Sequence, residues 1–245
     1  MNPVASEAMA LAGRRETVDW VERNARERLH PSLRDPSYLV LSRRRKILAR
    51  WLRAVGVSSP SVLDVGGRIQ PYRTLIPEPI RQYVAVDILN SPLVNIRASA
   101  SALPFGSDTF DIVFCTQVLE YLPRPDLAAL EIYRVLKPKG LAFFSVAAFY
   151  PRAVDEEHWR FLPAGLRSVL QPFREVEIVP EGTSISGFFR ACCVCLSMFA
   201  KYRWLRAVVN STAVPVFNLF GTLLEGIAHT HNDQAAGNYS VLARK

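Results

Sequence analysis

The sequence is short of cysteine, of acidic charge and of long apolar runs, and each shortage closes off a class of protein. Four cysteines in 245 residues are too few for a disulfide scaffold. Cys192, Cys193 and Cys195 form a C-C-x-C run without workable zinc spacing, and Cys115 falls on an apolar strand. No stretch has the roughly 18 apolar residues of convincing spanning character. The nearest approach, Val208 to Leu224, carries Asn210, Ser211, Thr212, Pro215, Asn218 and Gly221. The opening residues, MNPVASEAMALAGRRE, hold Glu7 and no continuous apolar stretch before Arg14, unlike a secretory leader. The expectation is a cytoplasmic chain. Internal repeats and low-complexity linkers are also missing.

What is present can build a sizeable core. Hydrophobic residues make up 49% and charged residues 21%, a globular composition. The formal charge is +8. Lys and Arg outnumber Asp and Glu by 12 to 6 over residues 1–60, then stand at 8 to 8 over 61–150 and 10 to 8 over 151–245. The basic excess therefore sits ahead of a neutral middle. It favours acidic partners weakly and names none. The division expected is a helical appendage or pocket cover over residues 1–58 and a main domain over 59–245.

Residues 17–29 read as an amphipathic helix with Trp20, Ala25 and Leu29 on one face and Thr17 or Asp19 as cap. A second helix runs from Pro36 to about Val55, with Ile47, Leu48, Trp51, Leu52 and Val55 at helical spacing. Arg43, Arg44, Arg45, Lys46, Arg50 and Arg53 are expected on its remaining surface. From Ser61 the period changes to that of strands: 61–65, 82–88, a short piece at Asn95–Ile96, 110–115, 141–147, 174–180 and 239–244. Helices are expected at 126–136 and 164–170, with Pro138-Lys139-Gly140 as the turn that stops the first. Strands alternating with helices predict a largely parallel sheet with helices on both faces.

Two features carry chemistry. The first strand runs into Gly66 and Gly67, which permit a sharp turn and close backbone approach. The second strand ends in Asp87, 21 residues after Gly66, where a carboxylate can accept both ribose hydroxyls. That spacing admits NAD as well as a nucleoside cofactor, and the loop lacks G-x-G-x-x-G. A tight turn and nothing more is the plain alternative.

Four segments in order narrow the choice: VLDVGGRIQPYR (62–73), VAVDI (84–88), ASALPFGSDTFDIVFCTQVLEYLPRP (100–125) and LEIYRVLKPKGLAFFSV (130–146). Together they resemble the class I S-adenosylmethionine-dependent methyltransferases, in particular the small branch called methyltransferase type 11. The resemblance spans about residues 60–180. It implies an α/β fold, a seven-stranded, mostly parallel Rossmann-like sheet with helices on both faces and the last strand inserted antiparallel. It also implies S-adenosyl-L-methionine as cofactor. By that resemblance Asp64, Gly66 and Gly67 lie at the methionine end, Asp87 holds the ribose and Ile88 packs on adenine. Ser99 and the stretch Ala100 to Leu103 pass the adenine edge, and Thr116 and Gln117 close the pocket. Two residues depart from the family pattern. Arg68 stands where a further glycine is usual, and Ser99 where an acid is common. Both predict weaker cofactor binding, and a degenerate binding or scaffold protein of the same fold is the alternative they raise.

The methyl acceptor is less legible. Methyl transfer asks for alignment and exclusion of water, with a base where the nucleophile is a hydroxyl or amine. His158, beside Glu156 and Glu157, is a candidate base, or else a residue that fixes its loop. Tyr121 is a candidate wall of the acceptor pocket, or a helix cap. The Phe- and Leu-rich block at about 185–230 reads as a helical layer on the sheet, as a lid over an apolar acceptor, or as a face touching membrane. His229 and His231, with Asp233, read as a polar loop, and no metal site is expected. No Asn/Asp-Pro-Pro-Tyr type tetrapeptide follows the fourth strand, so a nucleic-acid acceptor is disfavoured. An RNA or protein substrate recruited through the basic helix stays a minor alternative. A small-molecule, sugar or lipid-like acceptor is expected, with possible peripheral membrane contact.

Overall fold

A computed structural model describes residues 17–152, 154–228 and 231–245. The readings of the opening segment and of His229 lie outside the described residues. Seven strands form one sheet: β1 (Ser61–Val65), β2 (Gln82–Asp87), β3 (Ile96–Arg97), β4 (Phe110–Thr116), β5 (Leu136–Ala147), β6 (Glu175–Pro180) and β7 (Asn238–Arg244). Their spatial order is β3-β2-β1-β4-β5-β7-β6. β7 runs antiparallel to both β5 and β6, and the other pairs are parallel. All five β1 residues are buried, as a central strand covered on both faces requires.

The helices are α1 (Val18–Leu29), α2 (Tyr38–Arg53), α3 (Pro125–Val135), α4 (Pro163–Val169), α5 (Ser184–Phe199), α6 (Arg203–Ser211) and α7 (Ala213–Ala228). α3 and α4 cover one face, where Ile132 and Leu166 pack with Val113, Phe144 and Val241. The other face is covered by α2. Its Leu48, Trp51 and Leu52 meet Val62, Ile112, Phe114 and Phe143, and the rings of Phe114 and Phe143 stack at 5.2 Å. Between β1 and β2 the only helical piece among the described residues is the short 3-10 turn Arg73–Leu75. The N-terminal portion therefore supplies a layer of the core. Each such buried aliphatic side chain contributes about 1.5–3 kcal/mol.

Three local expectations are corrected. In α1 the buried residues are Val21 and Leu29, while Trp20 turns toward Arg68, with the guanidinium carbon 5.7 Å from its ring. Arg44 is not on the surface of α2. It lies one turn before Leu48 on the inward face and is 2% exposed. The turn Pro138-Lys139-Gly140 lies within β5. Phe110 pairs with Leu136 and Ile112 with Leu141, so the register jumps across a bulge in which Lys139 has φ 68°.

Candidate functional site

Strand order reverses between β1 and β4, and a switch point of this kind is where open α/β sheets bind ligands, beyond the C-terminal strand ends. Loops from both strands meet there. Gly66 has φ 78°, and a Cβ on it would stand 2.3 Å from Val118 Cγ2. A Cβ on Gly67 would stand 2.8 Å from the Asp64 carbonyl oxygen and 2.9 Å from Ala85 Cβ. The amides of Gly66 and Gly67 both donate to the Val86 carbonyl, at 2.8 and 3.2 Å. Both glycines are thus required by the chain's own turn.

Asp64 is buried and accepts a hydrogen bond from the Tyr83 hydroxyl at 2.6 Å. Burial pushes its carboxyl up to about 7, with Tyr83 pulling down and Asp87 adding to the rise. Asp87 ends β2, half-buried, and accepts the Leu89 amide at 2.8 Å. Burial also raises its carboxyl, against the Leu89 amide and the Arg68 charge. Ile88 and Leu89 follow as exposed apolar residues, Ile88 at 64%. Asp64, Gly66, Gly67, Arg68, Asp87 and Ile88 thus gather at the ends of β1 and β2.

The remaining sequence candidates divide. Ser99 is exposed, and its Oγ accepts the Ser101 amide at 3.2 Å. Ala100 and Leu103 are committed to the core, the Leu103 amide held by Glu131 at 2.8 Å. Thr116 ends β4. Gln117, at φ 56°, faces the far side. Its amide donates to the Ser145 carbonyl at 2.7 Å, and its side chain links Ser145 Oγ at 3.4 Å to Asn238 at 3.3 Å.

Beyond Gln117 lies a group that sequence reasoning missed. Glu120 is buried, its Oε2 makes no hydrogen bond, and burial pushes its carboxyl up to about 7. An acid inside the apolar run VLEYL was its only signal. His158 is exposed, and its backbone amide donates to the Glu120 carbonyl at 2.8 Å. The Glu157 carboxylate is bound by Arg160 at 2.5 Å and accepts the Tyr121 hydroxyl at 3.5 Å. Burial, then Glu157 and Glu120, push Tyr121 up to about 12. Glu157 thus serves Arg160 and Tyr121.

A polar chain also runs beneath this region. Arg44 Nε bonds both carboxylate oxygens of Glu181, at 2.9 and 3.0 Å. The hydroxyls of Ser145 and Ser240 donate to the same carboxylate at 2.6 and 2.7 Å. Sequence separation of 137 residues hid this pair.

Residues 63–144 match the family described as a methyltransferase domain. An uncharacterized methyltransferase of Mycobacterium marinum is 34% identical over 109 residues, covering 39% of this chain and 43% of that protein. One of Mycobacterium tuberculosis is 33% identical over 97 residues, covering 35% and 38%. The chain spans about two-fifths of the length of these curated relatives. Among solved structures, a protein from Galdieria sulphuraria assigned as a sarcosine dimethylglycine methyltransferase aligns with TM-score 0.54 at 14% identity, covering 84% of this chain and 86% of that one. SpnF, a 4+2 cyclase, aligns with TM-score 0.52 at 20% identity, covering 82% and 81%. These structures share the fold.

Proposed function

We propose that this chain, whose residues 63–144 belong to the methyltransferase-domain family, transfers a methyl group from S-adenosylmethionine to a small or lipid-like acceptor. The observation that carries the reading is the end of β2. A half-buried acid, Asp87, is followed there by two exposed apolar residues beside the glycine turn of the switch point. An acid suits two ribose hydroxyls, and an apolar shelf suits a purine. Bound there, the cofactor would supply a methyl group already activated by its sulfonium.

The chain's own residues do the rest. Asp87 holds the ribose, Ile88 and Leu89 pack on the base, and Ser99 meets its edge. Trp20 of α1, with the Arg68 guanidinium over its ring, closes one side. Tyr121 and His158, exposed after β4 and β5, border the acceptor.

The helical block supports an apolar acceptor and a peripheral seat on an anionic membrane. Residues Arg203–Ala228 have a mean hydropathy of 1.5 over their most apolar 18-residue window, yet only 17% of that window is buried. Phe199 is 81% and Ile227 74% exposed, with Lys201 and Arg203 exposed nearby. The opposite face is pinned to the protein. Buried Asn218 donates to the carbonyls of Leu33 and Asp35 at 2.8 and 2.9 Å, and Glu225 pairs with Arg43 at 2.6 Å. A helix so anchored lies on the surface of the domain, with its apolar side outward. Calorimetry with S-adenosylmethionine and S-adenosylhomocysteine tests the enzymatic reading. One site per chain is expected, and no heat up to millimolar ligand would defeat it. Co-sedimentation with anionic and neutral vesicles tests the membrane seat. Salt-sensitive binding to anionic vesicles alone is expected.

A further inference from the structure

Arg190, on α5, is 5% exposed, and no carboxylate among the described residues makes an ion pair with it. Its two hydrogen bonds both leave from Nη1, to the Gly237 carbonyl at 3.2 Å and to Asn238 Oδ1 at 2.6 Å. Nε is buried without a partner. The guanidinium carbon lies 4.3 Å from the centre of the Tyr150 ring. A cation taken out of water costs several kcal/mol unless an opposing charge meets it. Burial, with the Arg44 charge adding to it, pushes Arg190 down to about 10, although Tyr150, Glu181 and Asp35 pull the other way. The two nearby acids are engaged elsewhere. Glu181 is gripped by Arg44, Ser145 and Ser240, and Asp35 accepts the Ser37 amide at 2.7 Å.

The position of Arg190 ties it to the acceptor end. Asn238, its partner, also binds Gln117 at the end of β4. Tyr150, its aromatic neighbour, lies under Arg160 as well, at 5.9 Å, and Arg160 binds the Glu157 carboxylate that accepts the Tyr121 hydroxyl. We propose that Arg190 recognises a carboxylate or phosphate group carried by the acceptor, through the guanidinium edge that includes Nε. That edge presents paired donors in the geometry both anions accept, and the anion supplies the charge the fold withholds. The inference rests on reading this end of the sheet as the acceptor side.

The test uses octanoate, octyl phosphate and octanamide as probes of the full chain, measured by calorimetry without cofactor. At least one of the two anions is expected to bind tenfold or more tightly than the amide. Arg190→Gln should abolish that preference, and Arg190→Lys, which keeps charge but loses the fork, should reduce it at least threefold. Equal binding of anions and amide by the native chain, a preference that survives in Arg190→Gln, or one undiminished in Arg190→Lys, overturns the proposal. If Arg190→Gln does not fold, Arg190→Lys decides alone. S-adenosylhomocysteine is titrated separately. Affinity unchanged in the variants is expected, whereas a tenfold loss would assign the anion to the cofactor's own carboxylate and overturn the acceptor role. A chain that binds no cofactor but keeps the anion preference would remove methyl transfer and leave the Arg190 site standing.

Discussion

Two buried arginines divide the molecule. Arg44 meets Glu181, which directly follows the edge strand β6, with both carboxylate oxygens engaged. Arg190, at the sheet's end, meets an amide oxygen, a carbonyl and a ring. The first charge is neutralised within the fold and so serves to lock α2 to β6, β5 and β7. The second makes no ion pair with a carboxylate among the described residues. Equal burial thus says little about role; the identity of the partner says more.

The largest expected effect breaks the first of these arrangements. Arg44→Met leaves Glu181 buried without its cation and should cost about 3–5 kcal/mol of stability, read as the shift of the urea midpoint. Arg190→Met loses two hydrogen bonds but strands no carboxylate, and should cost about 1–2 kcal/mol. Equal losses would erase the contrast. Next in size is Asp87→Ala, which removes charge-assisted bonds of roughly 1.5–3 kcal/mol each. Affinity for S-adenosylhomocysteine should fall at least tenfold by calorimetry while the melting temperature holds.

Buried carboxyls extend the comparison to pH. Asp64 and Glu120 are each raised to about 7 in the folded chain, from 3.8 and 4.5. Between those values the folded chain keeps protons that the unfolded chain has lost. Their contribution to stability is therefore full below about pH 4, declines as pH rises and levels off above 7, with a slope on the order of 1 kcal/mol per pH unit for each group. Urea midpoints at pH 5 and 7.5 should differ in that sense, and the gap should narrow in Asp64→Asn and Glu120→Gln. Smallest of all, Ile227→Ser on the exposed side of α7 should change stability by less than about 0.5 kcal/mol. It should still weaken co-sedimentation with anionic vesicles.

The same contrast explains what could be read from the chain. Strands were legible because their apolar runs end in glycine or acid, and Asp87 because it closes such a run. α2 was legible from Ile47, Leu48, Trp51 and Leu52, but the inward turn of Arg44 was not. Its partner lies 137 residues away, and one-dimensional spacing carries no such distance. Glu120 and Arg190 escaped for the same reason, since burial is a property of neighbours. The bulge in β5 reads as a plain turn in the sequence, because Pro-Lys-Gly has the composition of one whether or not the ladder continues past it.

The reversal of β7 has a consequence for how this architecture changes partners. β6 ends and β7 begins at the same edge, where the Glu181 amide donates to the Asn238 carbonyl at 2.9 Å and the Ser184 amide to the Asn232 carbonyl at 2.7 Å. The chain thus leaves and re-enters the sheet through one doorway, with α5, α6 and α7 hung outside it. A graft between those two stems can lengthen, shorten or be exchanged without moving the register of a single strand. The helices between the stems can then vary while the turn at Gly66 and the acid at Asp87 stay as they are.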